Sequence, residues 1–258
     1  MIVIRRYMNN PLANFNYLLG CEQSRQAIVI DPFDAELMLK TAAEHQLDIK
    51  MIINTHEHFD HVMGNEAIQD ATSAEVWAQA DAGVPRQNHG INAGDIITLG
   101  SIRLKALHTP GHTSAHVCLL SEGETPMLFS GDTLFNASAG NCKNGGNVDD
   151  LYRSFVEQLM PLPDETLLYP GHDYMKNNLQ FALDREPGNQ MATYWVDQVQ
   201  AISPENMPVM TLGQERAYNP FLRLHEQAIR DRLKEQFPDM DDSDEAVFKA
   251  LRQLRDNW

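Results

Sequence analysis

The sequence predicts an α/β domain over residues 1–174 followed by a smaller α-helical domain over residues 175–258. Strand-length apolar segments, most of them ended by Gly, Pro, Asp or Asn, crowd the first two-thirds of the 258-residue chain. After about residue 174 the strand signals fade and helical periodicity takes over. A third observation points to function: His and Asp residues stand just past the ends of several of the expected strands.

Strands are expected at residues 2–4, 16–19, 27–30, 50–53, 102–107, 117–120, 127–129 and 166–169. Between residues 34 and 47, Leu37, Leu39, Ala42, Ala43 and Leu47 suit one helix packed on a sheet. A second helix is expected from Asp149 or Asp150, as N-cap, to Met160, where Pro161 stops it. Beyond the boundary, helices are expected at 177–183, 191–199, 220–237 and 244–256, punctuated by Pro187-Gly188, Pro204 and Pro238.

With 43% hydrophobic and 22% charged residues, the composition is that of an ordinary globular chain. Its formal net charge of −16 repels a phosphate backbone and an anionic bilayer, so neither nucleic acid nor a membrane is an expected partner. Cys21, Cys118 and Cys142 form no CxxC unit, which fits a reducing, cytoplasmic setting better than a disulfide framework. The first 15 residues lack the apolar run and cleavage site of a signal peptide, and no apolar run is long enough to span a bilayer.

The stretch THEHFDH at 55–61 puts three imidazoles and two carboxylates directly after an apolar strand. Desolvating so many polar groups is costly unless something pairs with them, and a divalent cation is the natural partner. In extended backbone His56 and His58 point the same way and can grip one ion, while Asp60 and His61 follow where the chain turns towards a helix and can serve a second. The i, i+4 histidines of a zinc-protease helix are absent. Three further strands each end in a turn that presents one His or Asp: His112, Asp132 and His172. The flanking His108 and His116 read as hydrogen-bonded residues rather than ligands, Cys118 as inert core, and Cys142 as a loop thiol near the site. The acidic run 239–244 reads as a solvated loop and helix cap, since the spacing of a calcium loop is missing.

Taken together, Asp31, His56-Glu57-His58-Phe59-Asp60-His61, His112, Asp132 and His172 resemble the five motifs of the metallo-β-lactamase superfamily. Within it, TPGHT (109–113), GDTLF (131–135), PGHDYMKNN (170–178), EPGN (186–189) and YNPF (218–221) are similar to glyoxalase II, the hydroxyacylglutathione hydrolases, and the likeness runs over nearly the whole chain. The resemblance implies an αββα sandwich with a dinuclear site at one edge. It implies that His56, His58 and His112 hold the first ion, that Asp60, His61 and His172 hold the second, and that Asp132 bridges them. Zinc is the foremost candidate, with iron and manganese as alternatives, because imidazole and carboxylate ligands accept all three. Asp60 is expected to orient the bridging hydroxide as well as to ligate, and Asp31 to accept a hydrogen bond from behind a ligating His.

The resemblance extends to the C-terminal part, which in the family binds a glutathione conjugate. There ALRQLRDN (250–257) is similar to the family's terminal basic motif, so Arg252 and Arg255 are expected to pair with glutathione carboxylates, and Tyr174 matches a tyrosine that bonds the tripeptide. One departure stands out. The family's Gly-x-Gly-basic-x-aromatic run appears here as AGNCKNGG (139–146), with Asn141 at the basic position and Lys143 at the aromatic one. Either Lys143 takes the basic role by a shift of register, or the pocket differs.

The implied reaction is hydrolysis of S-lactoylglutathione to lactate and glutathione. The leaving thiolate, of pKa about 8.5, departs without a strong general acid. The rival reading is a persulfide dioxygenase-like oxidoreductase of the same fold, with a mononuclear iron acting on glutathione persulfide. Retention of Asp60, His61 and His172 as a set favours the hydrolase. A binding-only or nucleic-acid-processing member would be expected to lose ligands or gain a basic face, and neither is seen.

Overall fold

In a computed structural model describing residues 1–258, two six-stranded sheets pack face to face with helices outside both. The first sheet runs in chain order through β1 (Ile2–Tyr7), β2 (Phe15–Gly20), β3 (Gln26–Ile30), β4 (Asp48–Ile53), β5 (Glu75–Gln79) and β6 (His89–Ile91). Helix α1 (Ala35–Glu44) joins β3 to β4 and is capped by Asp34, as the expected 34–47 helix requires. Helices α2 (Phe59–Val62) and α3 (Asn65–Thr72) lie between β4 and β5.

The second sheet contains β7 (Ile96–Leu99), β8 (Ile102–His108), β9 (Val117–Ser121) and β10 (Met127–Gly131). A hairpin of β11 (Leu134–Phe135) and β12 (Ser138–Ala139) and helix α4 (Val148–Ser154) follow, before β13 (Leu167–Pro170) returns parallel to β10. Helices α5 (Met175–Arg185) and α6 (Gln190–Val199) come next. A two-residue strand, β14 (Met210–Thr211), then comes back to pair with β13 as the sheet's edge. Helices α7 (Leu212–Tyr218), α8 (Gln227–Lys234) and α9 (Asp244–Arg255) complete the chain.

Strand alternation builds three interfaces, one between the sheets and one on the outer face of each. Phe15, Tyr17 and Leu19 of β2 and Ile28 and Ile30 of β3 meet Ile102, Leu104, Ala106, Leu119, Phe129 and Tyr169 of the second sheet in one buried cluster. The alternate residues Leu18, Ala27 and Val29 face outward onto Met38 and Ala42 of α1. On the other side Leu107, Cys118, Leu120, Leu128 and Leu168 pack against Leu151, Phe155, Phe181 and Phe248 of the helices. Each large side chain so buried contributes about 1.5–3 kcal/mol of transfer free energy. The αββα order is thus the expected one.

Two local expectations are corrected. Asn147, not Asp149 or Asp150, caps α4: its side chain accepts from the N–H groups of both aspartates, which instead occupy the first turn, where the helix dipole favours them. That helix continues as a π-helical turn over Phe155–Leu159, so its overall end near Met160 is as expected. The single helix expected over 220–237 is broken into a 3-10 turn, Pro220–Leu222, and α8. Between them the Arg223 guanidinium donates to both carboxylate oxygens of Glu186, at 2.9 and 3.0 Å, and pins the chain out of helical conformation.

The directions of the strands decide what gathers at one rim. β3 and β4 run parallel, and β10 and β13 run parallel. β8 runs antiparallel to β9 and β9 antiparallel to β10, so β8 shares the direction of β10. Their carboxyl ends deliver Asp31, residues 54–61, His112, Asp132 and His172 to one edge. There the sheets are stitched together: Phe15 N–H donates to the Gly171 carbonyl at 2.7 Å, and Gly171 N–H to that of Gly131 at 2.8 Å.

Candidate metal centre

Five imidazoles converge at this edge, and each is tied outward by one ring nitrogen. His56 Nδ1 lies 3.0 Å from Thr55 Oγ1, His58 Nε2 3.1 Å from the Asn144 carbonyl, and His61 Nδ1 3.0 Å from Asp31 Oδ2. His112 Nδ1 and His172 Nδ1 lie 2.7 Å from the carbonyls of Asn141 and Leu12. Because carbonyl and carboxylate oxygens only accept, these nitrogens carry the protons. Thr55 Oγ1 donates its own hydrogen to Asp31 Oδ2 at 2.6 Å, so it too accepts from His56. The opposite nitrogen of each ring points inward and offers a lone pair wherever the ring is neutral.

Those inward nitrogens face one another. His58 Nδ1 is 3.1 Å from His56 Nε2 and 2.9 Å from His112 Nε2, and His61 Nε2 is 3.1 Å from His172 Nε2. Among His56, His58 and His112, lone pairs at such spacing with no proton between them repel unless a cation stands among them, while between His61 and His172 a proton on His61 or a metal cation fills that place. Three groups bring ligand atoms within 4.8 Å of one another, His56–His58–His112, Asp60–His61–His172 and Asp31–His56–His61. In the last, both Asp31 oxygens already accept from Thr55 and His61, so the first two remain as donor sets. Asp132 stands between the sets: Oδ2 is 3.5 Å from His112 Nε2 and 3.1 Å from His172 Nε2, and Oδ1 is 3.5 Å from His61 Nε2. Asp132 Oδ1 is buried without a hydrogen-bond partner. An orphaned carboxylate oxygen beside converging imidazole lone pairs is the donor chemistry of two divalent cations, and the residues fit them.

The electrostatics point the same way. Burial pushes His56, His112 and the non-ligand His116 below the ordinary imidazole range, which keeps them neutral. Burial opposes charge on His61 too, but the carboxylates of Asp132 and Asp31 outweigh it and raise that ring to about 9. Burial likewise opposes ionisation of Asp132, and His172 and His61 overcome it, holding the carboxyl well below its usual range. The second set therefore seeks positive charge.

Asn14, which the sequence reading passed over, and His116, read there as hydrogen-bonded rather than ligating, support this edge. Asn14 Nδ2 donates to Asp60 Oδ2 at 2.9 Å. His116, fully buried, accepts the Asp132 backbone N–H through Nε2 at 3.1 Å and stacks on the His56 ring with centroids 5.0 Å apart. His108 Nε2 contacts the Ser114 carbonyl at 3.3 Å and stands in neither donor set. Glu57 turns away from both sets and accepts from Thr113 Oγ1 at 3.0 Å. Glycines 140 and 171 leave no room for a side chain: a Cβ would lie 1.8 Å from the Asp132 carbonyl oxygen or 2.3 Å from Asp132 Oδ1.

Beside the second set opens a cavity of about 200 Å³ lined by Phe135, Asn141, Lys143, Tyr174, Asn178, Arg252, Arg255 and Trp258. Tyr174 stacks on His172 with centroids 4.9 Å apart, linking cavity and metal centre. Arg255 is half-buried and spends two nitrogens on Asn178 Oδ1, at 3.2 and 2.8 Å. Arg252 is buried and folded onto the chain, donating to the carbonyls of Ala139 and Gly140 and pairing with Asp256 at 2.9 Å. Lys143 Nζ donates to the Asp256 carbonyl at 2.8 Å, and Asn141 Oδ1 accepts from the Lys143 N–H. Cys142 lies just outside, its thiol pushed up to about 11 mainly by burial, which makes it a poor nucleophile. Cys118 is raised to about 12 by burial in its strand. No helix is long and apolar enough to cross a membrane.

The metallo-beta-lactamase superfamily model matches residues 10–172, and the hydroxyacylglutathione hydrolase C-terminus model matches residues 173–258. A hydroxyacylglutathione hydrolase of Polaromonas sp. strain JS666 is 48% identical over the full length of both chains. The cytoplasmic hydroxyacylglutathione hydrolase of Arabidopsis thaliana is 36% identical, over 95% of each chain. Among solved structures, ETHE1 from Myxococcus xanthus aligns with a TM-score of 0.70 at 26% identity, covering 99% of this chain and 98% of that one. With its fold, its two donor sets and full-length identity at this level, the chain belongs to the metallo-β-lactamase superfamily and, within it, to the hydroxyacylglutathione hydrolase family.

Proposed function

We propose that this protein hydrolyses glutathione thioesters, converting S-lactoylglutathione to lactate and glutathione, in the cytoplasm. The observation that carries the reading is the convergence of five outward-anchored imidazoles on two neighbouring donor sets with the orphaned Asp132 oxygen between them. His56, His58 and His112 hold one divalent ion, Asp60, His61 and His172 the other, and Asp132 serves both. Zinc is the ion proposed, with iron or manganese accepted by the same ligands. Bound there, the ions supply an acidified water at neutral pH and polarise the thioester carbonyl.

The chain's own groups do the rest. Asp60, held by Asn14, orients the attacking water. Residues 175–258, joined to the second sheet through β14, close the substrate cavity against residues 1–174. In that cavity Arg255 and Lys143 meet the glutathione carboxylates, Tyr174 and Asn141 bond the tripeptide, and Arg252 fixes the 139–140 backbone at the cavity floor while adding positive potential. An acidic chain needs such a local basic patch to hold an anionic ligand.

The test is release of free thiol from S-lactoylglutathione, before and after chelation and metal restoration, beside a thioester lacking glutathione. Fast release confined to the glutathione thioester and dependent on metal is expected. No release from a metal-replete sample, with oxygen consumed on glutathione persulfide instead, would replace this reading by the persulfide dioxygenase one.

A further inference from the structure

We infer that Asn14, presented by the 10–14 turn, is a positioning residue for the second ion site, acting through both Asp60 and His172. The inference rests on the two-ion reading above and deepens it.

β2 runs antiparallel to β3, so its amino end, not its carboxyl end, reaches the rim where the donor sets lie. The turn that leads into it touches two members of the second set and none of the first. Asn14, 1% exposed, donates through Nδ2 to Asp60 Oδ2 at 2.9 Å and, at a longer 3.4 Å, to the Asp60 carbonyl. Its amide cannot flip without loss, because Asn14 Oδ1 accepts from Asn10 Nδ2 at 2.9 Å. Asn10 in turn accepts the Leu12 N–H at 3.1 Å, which closes the turn.

The same turn holds His172. The Leu12 carbonyl accepts from His172 Nδ1 at 2.7 Å, which leaves Nε2 facing His61. Asp173 N–H donates to the Ala13 carbonyl at 2.9 Å, and Asn14 forms a β-bridge with His172 itself. Ala13 adopts φ +56°, a left-handed conformation that costs an alanine energy and that the surrounding bonds enforce. Outer hydrogen bonds of this kind orient a metal's ligands and typically carry 10- to 100-fold in affinity. Two ligands of one site fastened by a single short turn make that turn specific to the second site. The first set is anchored elsewhere, through Thr55, Asn144 and Asn141.

The full-length apoprotein titrated with cobalt(II) alone, followed by calorimetry and by visible absorption, separates the two binding steps. Asn14→Leu removes the donor at similar volume. Asn10→Asp keeps the turn's acceptor but removes the donor that fixes the Asn14 amide, so the amide is free to present its oxygen to Asp60. Asn14→Leu is expected to weaken the second step by about 10- to 100-fold and leave the first within about two-fold. Asn10→Asp weakens the same step to a smaller extent. If Asn14→Leu does not fold, Asn10→Asp decides alone. Unchanged binding in both variants, or equal weakening of both steps with a lower melting temperature, overturns the inference by reducing Asn14 to a packing role. A wild-type chain that takes up one ion only overturns the two-ion reading, and this inference with it.

Discussion

Asp31 Oδ2 stands 3.0 Å from His61 Nδ1 and accepts at the same time from Thr55 Oγ1 at 2.6 Å, so one buried carboxylate sets the orientation of an imidazole from each donor set. Asp31 itself sits at φ +50°, a conformation that Asn also tolerates. Asp31→Asn therefore keeps the backbone while turning an NH2 group towards donors. Its second ion is expected to bind about 10- to 100-fold more weakly. Metal content after dialysis against a graded chelator, with circular dichroism as the check on folding, measures this. A variant that retains both ions as tightly as wild type sinks the role given to Asp31.

Gly171→Ala should damage the centre without altering a ligand. The glycine's backbone is one any residue adopts, so the effect is steric: the new Cβ would meet Asp132 Oδ1 at 2.3 Å and His61 Cε1 at 3.0 Å. Such overpacking costs about 1–3 kcal/mol and falls on the residue between the two donor sets. Low metal content and low thiol release in a folded variant are the expected pair. Normal metal content would mean that Asp132 has room to move.

Ion uptake should expel a proton. In the ion-free chain Asp132 and Asp31 overcome burial and keep His61 protonated up to about 9, above the ordinary imidazole value of about 6.5. A raised pKa of this kind stabilises the ion-free fold fully below the unfolded value and loses that stabilisation as pH rises through about 9. Metal added at about pH 7.5 must displace that proton, so an indicator dye in weak buffer should report release that declines as pH climbs past 9. Release independent of pH over that range would show that His61 is already neutral.

Arg252 and Arg255 should fail in different ways. Arg252→Ala orphans the carbonyls of Ala139 and Gly140 and leaves Asp256 without its partner. A loss of about 1–3 kcal/mol is expected. At roughly 2–4 °C per kcal/mol for a chain of this size, the melting temperature falls several degrees. Arg255→Ala also strips the buried Asn178 Oδ1 of its donor and so lowers melting as well. Because Arg255 faces the cavity, its loss should in addition raise KM for S-lactoylglutathione roughly 10-fold with kcat preserved, as loss of a charge-assisted bond to substrate requires. Identical behaviour of the two variants would contradict the division of roles.

Sequence alone marked eight of the twelve strands of the two large sheets, helices α5, α6 and α9 of the last third and the seven candidate donors, and passed over the interior strand β5 and helix α7. Alternation marks a buried strand, and a polar residue past its carboxyl end stands out against an apolar run, as His112, Asp132 and His172 do. Short edge strands such as β6, β7 and β14 were illegible because their stability comes from a neighbour's hydrogen bonds rather than from their own pattern. The break in the expected 220–237 helix was hidden for a related reason, since Glu186 holds Arg223 from 37 positions away. Apart from Asp31, which the resemblance already set behind a ligating His, only the tertiary structure decided which residues stand behind the donors. Asn14 and His116 precede β2 and β9, and because those strands run antiparallel to their neighbours, their amino ends come to the rim where the other strands end. No local pattern records strand direction, which is fixed by pairing between distant segments; the donors and Asp31 behind His61 could be read in the chain, and Asn14 and the bond made by His116 only in the fold.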